Sequence, residues 1–319
     1  MYDITCSIVL FHNPPELIRS AVESVLQCSR KIKLFLVDNS ANDSLRYEFI
    51  SPQIEYIFTG KNIGYGSAHN MAIKKAIPVS KYHLVLNPDV EFNPAILNRL
   101  FNFMEERSDI GLVMPKVLYP NGEMQYLCKM LPSPADLILR RFIPGPIKKI
   151  FKNKLEKYEL KYKDYNTIMD IPNLSGCFMF LRTAALEVAG LFDERYFLYL
   201  EDTDLCRRIN EYYRTVYYPR VSIIHGYSKA SYKSFRLLRY HLISTFKYFN
   251  KWSWLTDQQR IRINQSINTN QPIPILREIV LLSKRPAKIS ILEPRSTSAE
   301  QKVVAKRVFF EEAAEALAG

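Results

Sequence analysis

The chain has 319 residues, 47% of them hydrophobic, which is enough to bury a large α/β core and excludes disorder as the main state. A formal net charge of +12 calls for an anionic partner, and composition alone leaves nucleic acid, anionic lipid headgroups and a phosphorylated ligand all open. Five scattered cysteines without CxxC spacing give no zinc or disulfide framework and read as buried thiols of a reducing compartment.

The opening MYDITCSIVLFHN has no basic leader followed by an apolar stretch, so no signal peptide is expected, and residues 4–10 read as a strand. A turn at His12 to Pro15 leads into a helical stripe of Leu17, Ala21, Val22, Val25 and Leu26. Apolar runs at 32–37, 54–58 and 83–86 predict further strands, with helices at 68–77 and 94–106 between and after them. This alternation predicts an α/β fold on a parallel, doubly wound sheet, whose ligands bind outside the carboxyl ends of the strands.

After residue 115 the pattern loosens. Residues 130–165 are Pro-punctuated and rich in Lys and Arg, as expected of an insertion or mobile loop. Strand signals return at 171–181 and at 221–224. The stretch 229–270 interleaves cations (Lys229, Arg236, Lys247) with rings (Phe246, Trp252, Trp254), and the tail 271–319 carries no usable motif. Nowhere do about 18 uninterrupted apolar residues occur, so a cytoplasmic or peripheral protein is expected. The basic aromatic stretch fits an anionic membrane surface, in competition with a core-packing helix that has a solvated basic face.

A dinucleotide-binding enzyme would carry GxGxxG in its first strand-to-helix turn. Here that turn is Phe11-His12-Asn13-Pro14-Pro15, whose prolines remove amide donors, so a hydride-transfer enzyme is not expected. Acidic residues follow the second and fourth strands instead. Asp89 suits a divalent cation bridging substrate phosphates, and Asp38 a nucleobase; simple turn formation competes for both. In Asn62-Ile63-Gly64-Tyr65-Gly66 the glycines allow positive φ or close ligand approach, and Asn70 is read as orienting the base or ribose.

The densest acidic cluster is Glu201-Asp202-Thr203-Asp204, behind an aromatic run. Asp202 is read as general base toward an acceptor hydroxyl, with Glu201 orienting that hydroxyl or the loop, while Asp204 suits a helix N-terminus. His225 ends the last strand and is read as completing a metal shell with Asp89, against a purely structural alternative. The rival function is a catalytically silent scaffold or a nucleic-acid binder using the basic aromatic surface. No recognised nucleic-acid motif is visible, so no nucleic-acid partner is expected.

In order and spacing these segments resemble glycosyltransferase family 2, with its GT-A fold, and in particular the rhamnosyltransferase-like bacterial members. The matching pieces are SIVLFHN at 7–13, VDNSAND at 37–43, NIGYGSAHN at 62–70, LNPDVEF at 86–92, SGCFMFLR at 175–182, GLFDERYFLYLEDTDLCRR at 190–208 and IHGYSKAS at 224–231. The resemblance implies a mostly parallel sheet flanked by helices, with a catalytic domain at 1–228 (nucleotide part about 1–115, acceptor part about 116–228) and a C-terminal helical extension. It implies donor binding by Asp38, Asn62, Gly64, Asn70 and Asn87, and Mg²⁺ or Mn²⁺ at Asp89 with His225. Gly176 would line the sugar and acceptor site, and Asp202 would be the base of an inverting transfer. The family's Asp-x-Asp metal motif reads Asn87-Pro88-Asp89 here, so its first carboxylate is missing. The implied donor is a dTDP- or UDP-sugar, dTDP-L-rhamnose first, and the implied acceptor is a glycan or polyprenyl-linked glycan of cell-surface polysaccharide. Without a Gln-x-x-Arg-Trp motif, addition of a single residue is expected.

Overall fold

The computed structural model describes residues 1–137, 151–226, 235–269 and 271–276. The middle of the expected basic insertion, Lys229, Lys233 and most of the tail lie outside the described residues.

Strands β1 (Tyr2–Leu10), β2 (Ile32–Asp38), β3 (Ile54–Phe58) and β4 (Ser80–Leu86) pair in the order β3-β2-β1-β4, all parallel. Leu34 to Val37 and Leu84 to Leu86 are continuous apolar runs because central parallel strands are covered on both faces. Helix α1 (Pro15–Leu26) starts with a proline where a missing N–H costs nothing, and it buries Ile18, Ala21, Val22 and Val25. Each such Ile or Val contributes roughly 1.5–3 kcal/mol. Leu17, expected on that stripe, is exposed, and Ile18 takes its place. Helix α2 (Tyr65–Ala76) lays Ala68, Ala72 and Ala76 on Val9, Phe35 and Val37.

Beyond β4 the sheet is mixed. β8 (Phe178–Arg182) runs antiparallel between β4 and β6 (Ile110–Leu118), and β9 (Arg214–His225) lies parallel to β6. Short β5 (Val90–Glu91) and β7 (Met169–Asp170) pair antiparallel with β9. The expected parallel pattern thus holds for the first four strands only. The reversal of β8 has a functional consequence: the residues before β8 meet the carboxyl ends of β2, β4 and β9 at one edge of the sheet. Asp38, Asn87, Gly176 and His225 all sit along that edge.

Helices α3 (Ala95–Glu105), α4 (Lys152–Tyr158), α5 (Thr183–Ala189), α6 (Glu201–Ile209), α7 (Phe235–Trp252) and α8 (Gln258–Asn268) complete the described elements. All five cysteines are free and buried, as expected, and burial pushes the Cys177 thiol up to about 12. None of the described helices is long and apolar enough to cross a membrane.

One face of β1 is polar inside the core. Thr5 and Ser7 are fully buried and bond to the two ring nitrogens of His83 at 2.8 Å each, and Ser7 also meets Nδ1 of His69 at 2.7 Å. Burial keeps both imidazoles neutral, depressing His83 to about 3 and His69 well below its ordinary range. His69 packs edge-on against Tyr65, with ring centroids 4.4 Å apart, so this seam reaches the functional edge.

Candidate active site

A continuous set of hydrogen bonds crosses that edge. The Gly176 amide donates to Oδ2 of Asp202 at 2.9 Å, and the Tyr65 hydroxyl donates to the Gly176 carbonyl at 2.8 Å and to Oδ1 of Asn87 at 3.0 Å. Nδ2 of Asn87 then meets Nε2 of His225 at 3.3 Å, and Asp89 Oδ1 lies 3.4 Å from the same nitrogen. Asp202, Gly176, Asn87, His225 and Asp89 therefore share one site, although they come from four separate stretches of sequence. A side chain at Gly176 would press on the base candidate, because an added Cβ would stand 3.3 Å from Asp202 Cβ.

The protonation of His225 follows from its partners. Nε2 of Gln125 donates to the His225 carbonyl at 2.7 Å, which turns the amide oxygen toward Nδ1 at 3.0 Å, so Nδ1 carries the proton. In the same way, Asn87 accepts from Tyr65 through its oxygen and donates to Nε2 through its nitrogen. Nε2, which accepts from Asn87 Nδ2, also lies beside the Asp89 carboxylate, so two electron-rich groups stand 3.4 Å apart. A cation relieves that arrangement, and a histidine whose far nitrogen is anchored is the usual form of a metal ligand. Among the described residues no group of three His, Cys, Asp or Glu side chains gathers, so two protein ligands would leave the remaining positions to phosphate and water.

Helix α6 opens with Glu201, Asp202 and Asp204, acidic residues that complement its dipole. Tyr199 and Leu200 before it have φ of 71° and 66°, a left-handed pair costing about 1–3 kcal/mol each. Packing holds it: Leu200 is buried with Tyr196, Tyr248 and Phe249. Asp202 is partly exposed, with Oδ1 accepting from the Thr203 amide at 2.7 Å. Glu201 is only 5% exposed and its Oε2 has no hydrogen-bond partner. Burial first, then the charge of Asp202, raises its pKa well above the ordinary range, so it is held as the neutral acid.

Several expected donor contacts have other occupations. The Asp38 carboxylate is fully buried; it accepts from the Ser40 amide at 2.8 Å and from the Tyr56 hydroxyl, with no oxygen facing solvent. The Asn62 side chain accepts from the Gly64 amide at 3.0 Å, closing the turn. Gly64 has φ of 93°, but the space for its Cβ is filled by the Phe197 carbonyl at 2.6 Å, so the close approach is to the chain's own backbone. Asn70 has partners of its own as well. It is 2% exposed; its Oδ1 accepts from the Phe192 amide at 3.0 Å, while its Nδ2 donates to the Phe192 carbonyl at 2.9 Å and to Glu194 at 3.0 Å. Buried in this way, it clamps the loop leading to α6.

A sequence profile described as Glycosyl transferase family 2 matches residues 6–188, more than half of the chain. The chain belongs to that family. This family 2 glycosyltransferase is 27% identical over 244 residues to the N-acetylglucosaminyl-diphospho-decaprenol L-rhamnosyltransferase of Mycobacterium tuberculosis (70% of this chain, 76% of the relative). It is 28% identical over 274 residues to Rhamnosyltransferase WbbL of Escherichia coli K12 (81% of this chain, 97% of the relative). Its fold is similar to those of GalNAc-T7 with UDP, GalNAc and Mn²⁺ (TM-score 0.56, 14% identity) and of the mannosyltransferase PcManGT from Pyrobaculum calidifontis with GDP-Man and Mn²⁺ (TM-score 0.52, 16% identity). These alignments cover 88% and 78% of this chain but only 60% and 64% of the solved chains. The resemblance read from the motifs and the α/β fold with flanking helices both agree with these comparisons.

Sequence reasoning missed three residues of the glycosyltransferase site: Tyr65, Gln125 and Asn39. Tyr65 stood inside a motif read for its glycines. Gln125 follows an unpatterned turn, and nothing local marks its pairing with a residue 100 positions away. Asn39, adjacent to Asp38, joins the two halves by donating to the Gly64 carbonyl at 3.1 Å.

Proposed function

We propose that this glycosyltransferase moves a sugar from a nucleotide-diphosphate donor to a hydroxyl of a glycan, with inversion, in cell-surface polysaccharide synthesis. The observation that carries the reading is the hydrogen-bonded path from Asp202 to the Asp89–His225 pair, which sets a partly exposed carboxylate beside a cation-ready donor set. Asp202 accepts the proton of the acceptor hydroxyl as that oxygen bonds to the anomeric carbon, and the bond from that carbon to the diphosphate breaks on the opposite face. The Gly176 amide fixes the Asp202 carboxylate through one oxygen. Glu201, held neutral, adds no second negative charge behind it.

Asp89 and His225 would hold Mg²⁺ or Mn²⁺, which when bound neutralises charge on the diphosphate. Asn87 stands where the missing first carboxylate would be and steers His225. Asp38 shapes the base pocket through Tyr56 and Ser40. L-Rhamnose from dTDP-L-rhamnose is the first choice of donor, with UDP-sugars behind it, and the mycobacterial relative's name supports a polyprenyl-linked acceptor. Such an acceptor fits action at the cytoplasmic face of a membrane.

A thermal-shift panel of dTDP- and UDP-sugars with and without Mn²⁺ tests the donor half. One base-sugar pair is expected to stabilise the chain only with Mn²⁺, by about 2.7 kcal/mol at a hundred times its Kd. No shift with any nucleotide sugar, metal present or absent, contradicts the proposal.

A further inference from the structure

We infer that α7 and the turn after it form a docking surface for an anionic phospholipid bilayer. Helix α7 seats Tyr248 and Phe249, both fully buried, against Tyr196 and Leu200, and carries a second apolar face toward solvent. Polar contacts flank that seat: Ser244 donates to the Leu198 carbonyl at 2.8 Å, Lys251 pairs with Asp193 and Asp204 at 2.8 Å each, and Trp252 Nε1 donates to Asp204 at 2.7 Å. On the outer face, Phe235 is 84% exposed, Phe246 59%, Leu242 45% and Ile243 39%. Leu255, 84% exposed in the following turn, extends the patch, and Trp254 joins it by packing against Phe246 at 5.7 Å. A helix seated on a protein core for packing alone carries a polar, solvated outer face and no contiguous apolar patch there.

Charge selects the occupant. From Phe235 to Leu255 there is no Asp or Glu, while Arg236 and Arg239 are exposed among the outward apolar residues. Cations interleaved with rings and leucines match anionic headgroups over an acyl boundary. With 18 residues and cations throughout, α7 lies on a bilayer rather than crossing it.

The seat of α7 ties this surface to the site. Tyr240 packs on Phe197 with ring centroids 4.5 Å apart, and His241 on Tyr199 at 5.5 Å, so α7 rests on the segment that turns into Glu201 and Asp202. A bilayer under α7 therefore lies next to the acceptor side. This deepens the reading of a lipid-linked acceptor and rests on it for its purpose, not for the binding itself.

Flotation of the full chain with phosphatidylcholine vesicles, with and without phosphatidylglycerol, tests the surface. The chain is expected to float only with phosphatidylglycerol, and to be released at high salt. The double variant Leu242→Glu, Phe246→Glu is expected to lower the bound fraction at least about tenfold. Ile50→Glu, at an exposed position away from α7, is expected to leave flotation unchanged, with thermal unfolding confirming that both variants fold. Failure of the wild type to float, or equal flotation of the double variant, overturns the proposal. So does light scattering that shows a wild-type dimer dispersed by the double variant without effect on vesicle binding, which assigns the face to a second copy. Flotation needs no donor or turnover. A chain that floats but binds no nucleotide sugar contradicts the glycosyltransfer reading alone, and one that binds donor but does not float contradicts the docking surface alone.

Discussion

Gln125 grips His225 at two points, donating to its carbonyl at 2.7 Å and accepting from its Nδ1 at 3.0 Å. The ring is thereby fixed in rotation and in tautomer, with Nε2 turned toward Asn87 and Asp89. Partners of this kind are worth about 10–100-fold in metal affinity or activity. Gln125→Leu is therefore expected to raise the Mn²⁺ concentration needed for half-maximal transfer by about that factor, with little change in donor KM at saturating metal. An unaltered Mn²⁺ titration removes Gln125 from this role.

Tyr65 serves two acceptors with one hydroxyl, and burial holds it protonated well above the ordinary phenol range. Tyr65→Phe leaves the Gly176 carbonyl and the Asn87 oxygen short of a donor, a loss of about 1–3 kcal/mol if both stay dry. The variant is expected to fold with a lowered Tm and to lose roughly tenfold in kcat, since both ends of the path shift while the metal ligands remain. Steady-state kinetics equal to the wild type contradict the path as a positioning device.

The buried histidines make a pH prediction of definite sign. His83 is depressed to about 3 in the folded chain by burial, against about 6.5 when unfolded. Above about pH 6.5 it is neutral in both states; below that, the unfolded chain takes up a proton that the folded chain refuses, so stability falls as pH falls toward 3. His83→Gln removes this contribution. Between roughly pH 6.5 and 5 the wild type is expected to lose about 2 kcal/mol more than the variant in urea unfolding, at about 1.4 kcal/mol per pH unit. Parallel pH profiles contradict a neutral, buried His83.

The first four strands and the helices between them were legible because central parallel strands and amphipathic helices write continuous runs and periodic stripes into the sequence. The mixed half was not, since the direction of β8 is set by its pairing with β4 and β6 and not by its own Phe178 to Leu181. The acidic strand ends stood out as chemistry, yet ligand contact and intramolecular contact look alike in one dimension. Asn70 and Gly64 carry the signs of a ligand turn, and both serve the loop at 192–197, more than 120 residues on. Asp204, read as a simple helix opener, is a fully buried junction that accepts from Arg208, Lys251 and Trp252, because its cationic partners include a helix some 45 residues further along. The second, exposed apolar face of α7 was equally hidden, since apolar residues spread around a helix do not say which of them the core takes.

The role of Asp202 is open to the most direct test. Asn at that position keeps the size and an oxygen for the Gly176 amide but has no basic electron pair. Calorimetry of donor binding paired with single-turnover transfer by Asp202→Asn is expected to give donor affinity within about threefold of wild type and transfer slower by about 10²–10⁴-fold. Transfer at the wild-type rate with donor bound contradicts a proton-accepting Asp202.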